Sequence, residues 1–189
     1  MEFWTDTDSP LGRLTLASDG HALTGLWMED QKYFGSSCTH WTKQDDLAVF
    51  VQTKAWLAAY FSAAAPLPPA PPLAPEGTDF QQRVWRQLLT IPYGETITYG
   101  ALAAALNCAC ARAMGGAVGR NPISLIIPCH RVVGADGKLT GYAGGVARKR
   151  WLLDHERTNR TNTTCQDRGK YIFTEKNGEM DCVCGERTL

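Results

Sequence analysis

Thirteen consecutive residues, Ala63 to Pro75, hold six prolines and otherwise only alanine and leucine. Proline lacks an amide donor and fixes φ, so this stretch can neither continue a helix nor take a central place in a sheet. It reads as an extended linker and divides the chain into two parts. We place an N-terminal domain at residues 1–62, the linker at 63–78, a second domain at 79–156 and a tail at 157–189. At 189 residues the chain is long enough to bury a real core.

Ahead of the linker, Gly12 to Ser18 alternates in character, Asp19-Gly20 is a turn signal and Ala22 to Met28 makes a second strand, which predicts a hairpin or meander. Leu47, Val51, Ala55, Leu57, Ala58 and Phe61 fall near helical spacing and predict an amphipathic helix over Asp45 to Phe61. Behind the linker, Asp79 is placed to cap a helix with Phe80, Val84, Leu88 and Leu89 on its apolar face, ended by Ile91-Pro92-Tyr93-Gly94. Thr98 to Leu106 predicts a second helix, and the small residues of Ala109 to Val118 a third. Joined by a tight turn at Asn107, the last two suit a helix-turn-helix with the third helix as recognition element, although the same pattern fits an ordinary helical hairpin.

Nineteen basic and nineteen acidic residues cancel over the chain but not locally. Residues 1–78 hold four Lys/Arg against nine Asp/Glu, residues 79–156 nine against five, and the remainder six against five. A nucleic-acid surface would therefore lie in the middle segment, although so modest an excess also suits a solvated face. Met1 to Asp6 has no basic region before an apolar core, and no apolar segment is long enough to span a membrane. The expected location is the cytoplasm, or the nucleus in a eukaryote, with no membrane partner. Seven cysteines, an odd number without an export signal, predict free thiols and no disulfide framework. The glycosylation sequons at Asn159 and Asn162 then carry no meaning.

The chemistry concentrates at Pro128-Cys129-His130-Arg131, directly after the apolar run Ile123 to Ile127. A thiol is a strong nucleophile only as thiolate, and a neighbouring base or positive charge lowers its pKa. Taken alone, a Cys-His pair is more often a buried cysteine beside a satisfied histidine. The surroundings alter that balance. Gly115-Gly116-Ala117-Val118-Gly119-Arg120-Asn121-Pro122 leads into the apolar run, Gly141-Tyr142-Ala143-Gly144-Gly145 follows the pair, and Arg112, Trp151-Leu152-Leu153 and Glu156 stand to either side. Together these residues strongly resemble the O6-alkylguanine-DNA alkyltransferase family, suicide repair proteins that move an alkyl group from guanine onto their own cysteine. The likeness is specific from about Phe80 to Glu156, weaker over residues 1–79 and absent beyond.

The resemblance implies an α+β fold: a small α/β N-terminal domain with an antiparallel sheet, then an α-helical DNA-binding domain with a helix-turn-helix of the winged-helix kind. It implies a single-turnover methylated-DNA–protein-cysteine methyltransferase acting on O6 of guanine, with O4 of thymine as a second candidate. The implied partner is double-stranded DNA containing O6-alkylguanine, entered through the minor groove by a monomer. Cys129 matches the nucleophile and permanent acceptor, His130 the base that draws the thiol proton through a water, and Glu156 the carboxylate that holds the His130 ring. Tyr99 matches the phenol that helps rotate the nucleotide and donates to the departing guanine. Arg112 matches the arginine that fills the place of the extruded base, and Ala111 and Gly115 are small residues suited to close approach. Asn121 matches the residue bracing the turn beneath the nucleophile. Arg131, Val132, Tyr142 and Ala143 fall to the base pocket and its bracing. The family often carries serine where this chain has Ala143, so only a backbone contact to the guanine oxygen survives there. Self-inactivating transfer needs no organic cofactor and no metal.

Other features read as bland. Cys108 and Cys110 lack a partner pair at zinc-site distance. Cys182 and Cys184, with Cys165, could in principle bind a metal, whereas Cys38, His21 and His40 are too few for the structural zinc some family members hold. The tail carries a strand-like Lys170 to Thr174 and a hairpin signal at Asn177-Gly178, a pattern that suits a small hairpin, a disordered segment or sequence acquired by chance, with no function attached. Two rival classes fit parts of the pattern. A lesion binder without transfer chemistry is opposed by the presence of Cys129. A cysteine hydrolase lacks an oxyanion loop, and adjacent Cys and His side chains would point apart in a strand.

Overall fold

The Asp19 carboxylate accepts from the amides of His21 and Ala22, and Gly20 takes φ +105°, which together close a hairpin between β2 (Leu14–Ser18) and β3 (Leu23–Met28). The computed structural model describes residues 2–35, 40–64, 66–108, 110–160, 171–174 and 180–183. Strand β1 (Glu2–Thr7) pairs antiparallel with β2 and parallel with β4 (Trp41–Lys43), so the order is β3-β2-β1-β4 and only the first three strands are antiparallel.

Helix α1 (Ala48–Phe61) buries Val49, Phe50, Thr53, Trp56, Leu57 and Tyr60. That is not the face the spacing of Val51, Ala55 and Ala58 picks out, and Val51 is 57% exposed. The helix is apolar nearly all round, so periodicity cannot choose a side; the large rings of Phe50, Trp56 and Tyr60, which bury the most surface, decide it.

Helix α2 (Asp79–Leu89) is capped one residue earlier than Asp79. The Thr78 hydroxyl accepts from Gln81 N and the Gln81 side chain accepts from Thr78 N, a capping box that Asp79 cannot form from inside the first turn. Thr98, at the end of β5 (Ile97–Thr98), likewise caps α3 (Tyr99–Ala105). Asn107, at φ +51°, then turns the chain into α4 (Ala111–Gly119), which packs on α2 where the Trp85 indole donates to Ala117 O at 2.9 Å. Beyond a short helical turn, Cys129–Arg131, β6 (Val132–Val133) pairs parallel with β5, and α5 (Val146–Asn159) closes the half. Among the described residues no helix is long and apolar enough to cross a membrane.

The proline-rich segment does more than connect. Leu23 N donates to Pro72 O and Ala74 N to Leu23 O, both at 2.8 Å, which pins the segment along the free edge of β3. On its other side Leu73 N donates to Ile172 O and Thr174 N to Leu73 O. A sheet-like pairing is possible here because Leu73 and Ala74 are the two residues between Pro72 and Pro75 that keep their amides. The strand beyond it, β7 (Tyr171–Thr174), pairs antiparallel with β8 (Met180–Val183). Lys170 and the Asn177-Gly178 turn signal lie outside the described residues, as do Cys38, Asn162, Cys165 and Cys184.

Phe173 is fully buried and lies under the Arg86 guanidinium at 4.9 Å, so the tail joins the core. Phe173→Ala is expected to cost about 3 kcal/mol in urea unfolding, and Ile172→Ala, at a 38% exposed position, less than about 0.5 kcal/mol. Equal small losses would detach β7 from the core.

Candidate active site

Between α4 and the short helical turn the chain makes a tight loop that no regular ladder supports. Ser124 N and Leu26 N exchange bonds with Leu26 O and Pro122 O at 2.9 Å, fastening the loop to β3, while Leu125, buried at 1% exposure, takes φ +71°. Backbone strain of this kind persists only where the surroundings over-determine it. Asn121 supplies much of that constraint. Its Oδ1 accepts from Ile123 N at 3.0 Å, and its Nδ2 faces Ile127 O at 2.8 Å, Ile123 O at 3.2 Å and Cys129 Sγ at 3.1 Å.

Cys129 is 5% exposed and lines a cavity of about 490 Å³ with Tyr99, Gly115, Val118, Gly119, Thr140, Gly141, Tyr142, Ala143, Lys32 and Tyr33. Burial pushes the thiol above its ordinary range, opposed by the Asn121 amide and the Lys149 ammonium. Burial and the nearby Cys129 likewise raise Tyr99, keeping it a neutral phenol.

Behind the thiol lies a buried ionic node. Glu156, fully buried, accepts at Oε1 from Tyr60 Oη (2.7 Å), His130 Nε2 (2.8 Å) and Arg131 Nη2 (2.9 Å), and at Oε2 from Arg131 Nε (2.8 Å) and Gly94 N (3.0 Å). Gly94 can aim its amide there because it turns at φ +72°. Burial alone would raise the carboxyl, but the Arg131 guanidinium and the His130 ring outweigh it and hold Glu156 well below the carboxylate range. Arg131 donates its remaining Nη1 to Ile91 O at 2.6 Å. Tyr93, half-buried near the same charges, is pushed up to about 12 by burial and Glu156.

An ionised carboxylate only accepts, so the Nε2 facing Glu156 carries the hydrogen. Burial lowers His130 below its ordinary value, against the pull of Glu156, and leaves the ring neutral with its lone pair on Nδ1. Nδ1 is buried with no hydrogen-bond partner among the described residues.

The site residues drawn from the sequence thus fall into groups. Cys129, Tyr99, Gly115, Tyr142 and Ala143 share the cavity wall; His130, Arg131 and Glu156 form the node behind it; Asn121 sits under the thiol; Val132 is buried in β6. Arg112 is exposed on α4 outside the cavity, one position after Ala111. Tyr60, Gly94, Lys149, Lys32 and Tyr33 were not legible as site residues. Lys149 is fully buried, with Nζ donating to Val132 O and to Thr140 O. Its spacing to Leu152 and Glu156, which places all three on one face of α5, is the one signal that could have found it. Among the described residues no three His, Cys, Asp or Glu side chains form a metal-holding group.

Residues 79–158 match the family model described as 6-O-methylguanine DNA methyltransferase, DNA binding domain, and residues 3–67 match that of its ribonuclease-like domain. A Mycobacterium bovis protein named methylated-DNA–protein-cysteine methyltransferase is 52% identical over 159 residues, 84% of this chain and 94% of its own length. A Haemophilus influenzae protein of the same name is 46% identical, over 82% of this chain and 86% of its own. The crystal structure of Mycobacterium tuberculosis OGT in complex with DNA superposes with a TM-score of 0.75 at 49% identity, covering 83% of this chain and 94% of that one.

The node makes stability depend on pH with a definite sign. Glu156 and His130 both have folded pKa values below their unfolded ones, so their contribution is complete above about pH 6.5 and is lost on acidification. Glu156→Gln, which leaves Arg131 buried without its carboxylate, is expected to cost about 3 kcal/mol at pH 7 in urea unfolding. The gap to wild type should then narrow by about 1.4 kcal/mol per pH unit below about pH 4. A gap constant from pH 7 to 3 would contradict the ionised node.

Proposed function

The chain belongs to the 6-O-methylguanine DNA methyltransferase family, and we propose that Cys129 is the residue on which its chemistry ends. It is a DNA repair protein that transfers a methyl or other alkyl group from O6 of guanine to its own cysteine and is consumed in the act. The observation that carries the assignment to Cys129 is its seat: among the described residues it is the cysteine lining the cavity, backed by a histidine whose outer nitrogen is unsatisfied.

In the mechanism we infer, His130 Nδ1 takes the Cys129 proton through one bridging water, and Glu156 stabilises the imidazolium that forms. Sulfur attacks the alkyl carbon in line; the S–C bond forms as the C–O6 bond breaks, and its electron pair passes to guanine. Tyr99 donates a hydrogen bond to the departing base, which takes up one proton. Thiol and alkylguanine thus become thioether and guanine with no co-reactant. Asn121 and Lys149 stabilise charge on the sulfur during transfer, which offsets the burial that otherwise keeps it protonated.

The reactive carbon cannot be reached inside a stacked duplex, so the nucleotide must rotate out. Two features support α4 as the element that enters the minor groove and Arg112 as the side chain that fills the gap. Arg112 is exposed there, and a Cβ placed on Gly115 would meet nothing within 4 Å, so this face is open to a close partner. The backbone near Ala143 is the group available to the guanine oxygen. We place the protein at work as a monomer in the compartment that holds the DNA, the cytoplasm in a cell without a nucleus.

Intact-mass spectrometry after incubation with an O6-methylguanine duplex tests the assignment: one methyl per chain is expected on the wild type and none on Cys129→Ala. No added mass on the wild type, with lesion binding retained, would make the protein a sensor instead. Arg112→Ala is expected to slow duplex repair by about tenfold, ~1.4 kcal/mol, while reaction with free O6-benzylguanine changes much less. Equal losses on both substrates would remove Arg112 from base extrusion.

A further inference from the structure

The cavity is not built by the catalytic half alone. Lys32 and Tyr33, from the segment that follows β3, stand in its wall together with Cys129. Tyr33 is 48% exposed yet holds φ +63°, a left-handed conformation that is strained for a tyrosine. Its neighbours fix it there. Lys32 N donates to Ala143 O at 3.1 Å, tying the segment to another wall of the same cavity. Gln31, 5% exposed, accepts at Oε1 from Met28 N and from Ser124 Oγ, within the loop that supports the thiol. The Arg120 guanidinium lies over the Tyr33 ring at 5.1 Å, and Phe34 packs on Trp27 at 5.5 Å.

A strained, half-exposed aromatic held from several sides is not what a connecting loop requires. On the α4 side of the cavity, a Cβ at Gly115 or Gly119 would meet nothing within 4 Å, so that side offers little bulk against a substrate. Tyr33 is a large ring at the wall contributed by the other domain, and a bulky group that presses on it must displace a ring already clamped by Arg120. Resting on the alkyltransferase reading, we propose that Tyr33 is a specificity-determining residue: its ring limits the size of the transferred group and favours methyl over bulky aromatic groups such as benzyl.

The test is the ratio of single-turnover rates for O6-benzylguanine and O6-methylguanine placed in the same duplex sequence, a ratio in which DNA affinity cancels. Tyr33→Ala is expected to raise the benzyl-to-methyl ratio by about tenfold, the scale on which pocket walls separate small groups. Tyr33→Phe, which keeps the ring, should hold the wild-type ratio. Arg120→Ala, which frees the ring without removing it, should move the ratio in the same direction as Tyr33→Ala by a smaller factor, and it reads the same wall should the first variant fold poorly. A ratio within about twofold of wild type in both Tyr33→Ala and Arg120→Ala, with methyl transfer still occurring, would overturn this inference alone. Transfer of neither group by the wild-type protein would overturn the alkyltransferase reading and this inference with it.

Discussion

The Glu156 carboxylate is the point on which the molecule turns. A charge taken fully out of water costs several kcal/mol unless its partners are already in place. Here they come from three segments apart from α5, which carries Glu156 itself: Tyr60 at the end of α1, Gly94 in the turn after α2, and His130 and Arg131 in the short helical turn. None of these segments can shift without stranding a buried polar group. Satisfying one carboxylate therefore seats the N-terminal half against the catalytic half, and orients the histidine beside the thiol. The Tyr60 ring extends the same seam through its neighbours, stacking on Trp56 at 5.3 Å while its carbonyl accepts from His155.

In front of that node the requirements reverse. In the proposed mechanism the nucleophile is spent once and must survive until the lesion arrives, and burial keeps Cys129 in its less reactive, protonated form. The groups that favour the thiolate, the Asn121 amide and the Lys149 ammonium, are rigid and hydrogen-bonded to backbone carbonyls, so they need no rearrangement when charge develops. The cost of this arrangement appears as backbone strain at Leu125 beneath the site and at Tyr33 beside it. Both residues are held by contacts that cross from one half of the chain to the other, which makes the interface between the halves part of the site.

How much of this was legible depends on the range over which each feature is determined. Strands β2 and β3 and the helices α2 to α4 follow from local alternation, spacing and turn residues. The face of α1 does not, because a helix apolar nearly all round leaves the choice to tertiary packing, so Val51, expected on the apolar face, is exposed while Tyr60 is buried. Thr78 and Asp79 compete for one cap, and the Gln81 side chain three residues on settles it. Cys129 and His130 announce themselves as neighbours, whereas Glu156 lies 26 positions from His130 and is reachable only through the family likeness. Tyr60 is 96 positions from Glu156, and no local pattern marks it. The same is true of Lys32 and Tyr33, whose role comes from where the fold puts their loop. The proline-rich segment shows the converse: its composition forbids regular structure over most of its length, yet the amides of Leu73 and Ala74 are enough to pin it between β3 and β7.

In the proposed mechanism His130 and Glu156 act on Cys129 as one unit. It is tested most directly by a double-mutant cycle on the single-turnover transfer rate from an O6-methylguanine duplex, using His130→Gln, Glu156→Gln and the pair on folded protein. If the carboxylate works through the ring, the pair should be no slower than the slower single variant. Losses that multiply across the two positions would show that each reaches the thiol independently, and would contradict the account.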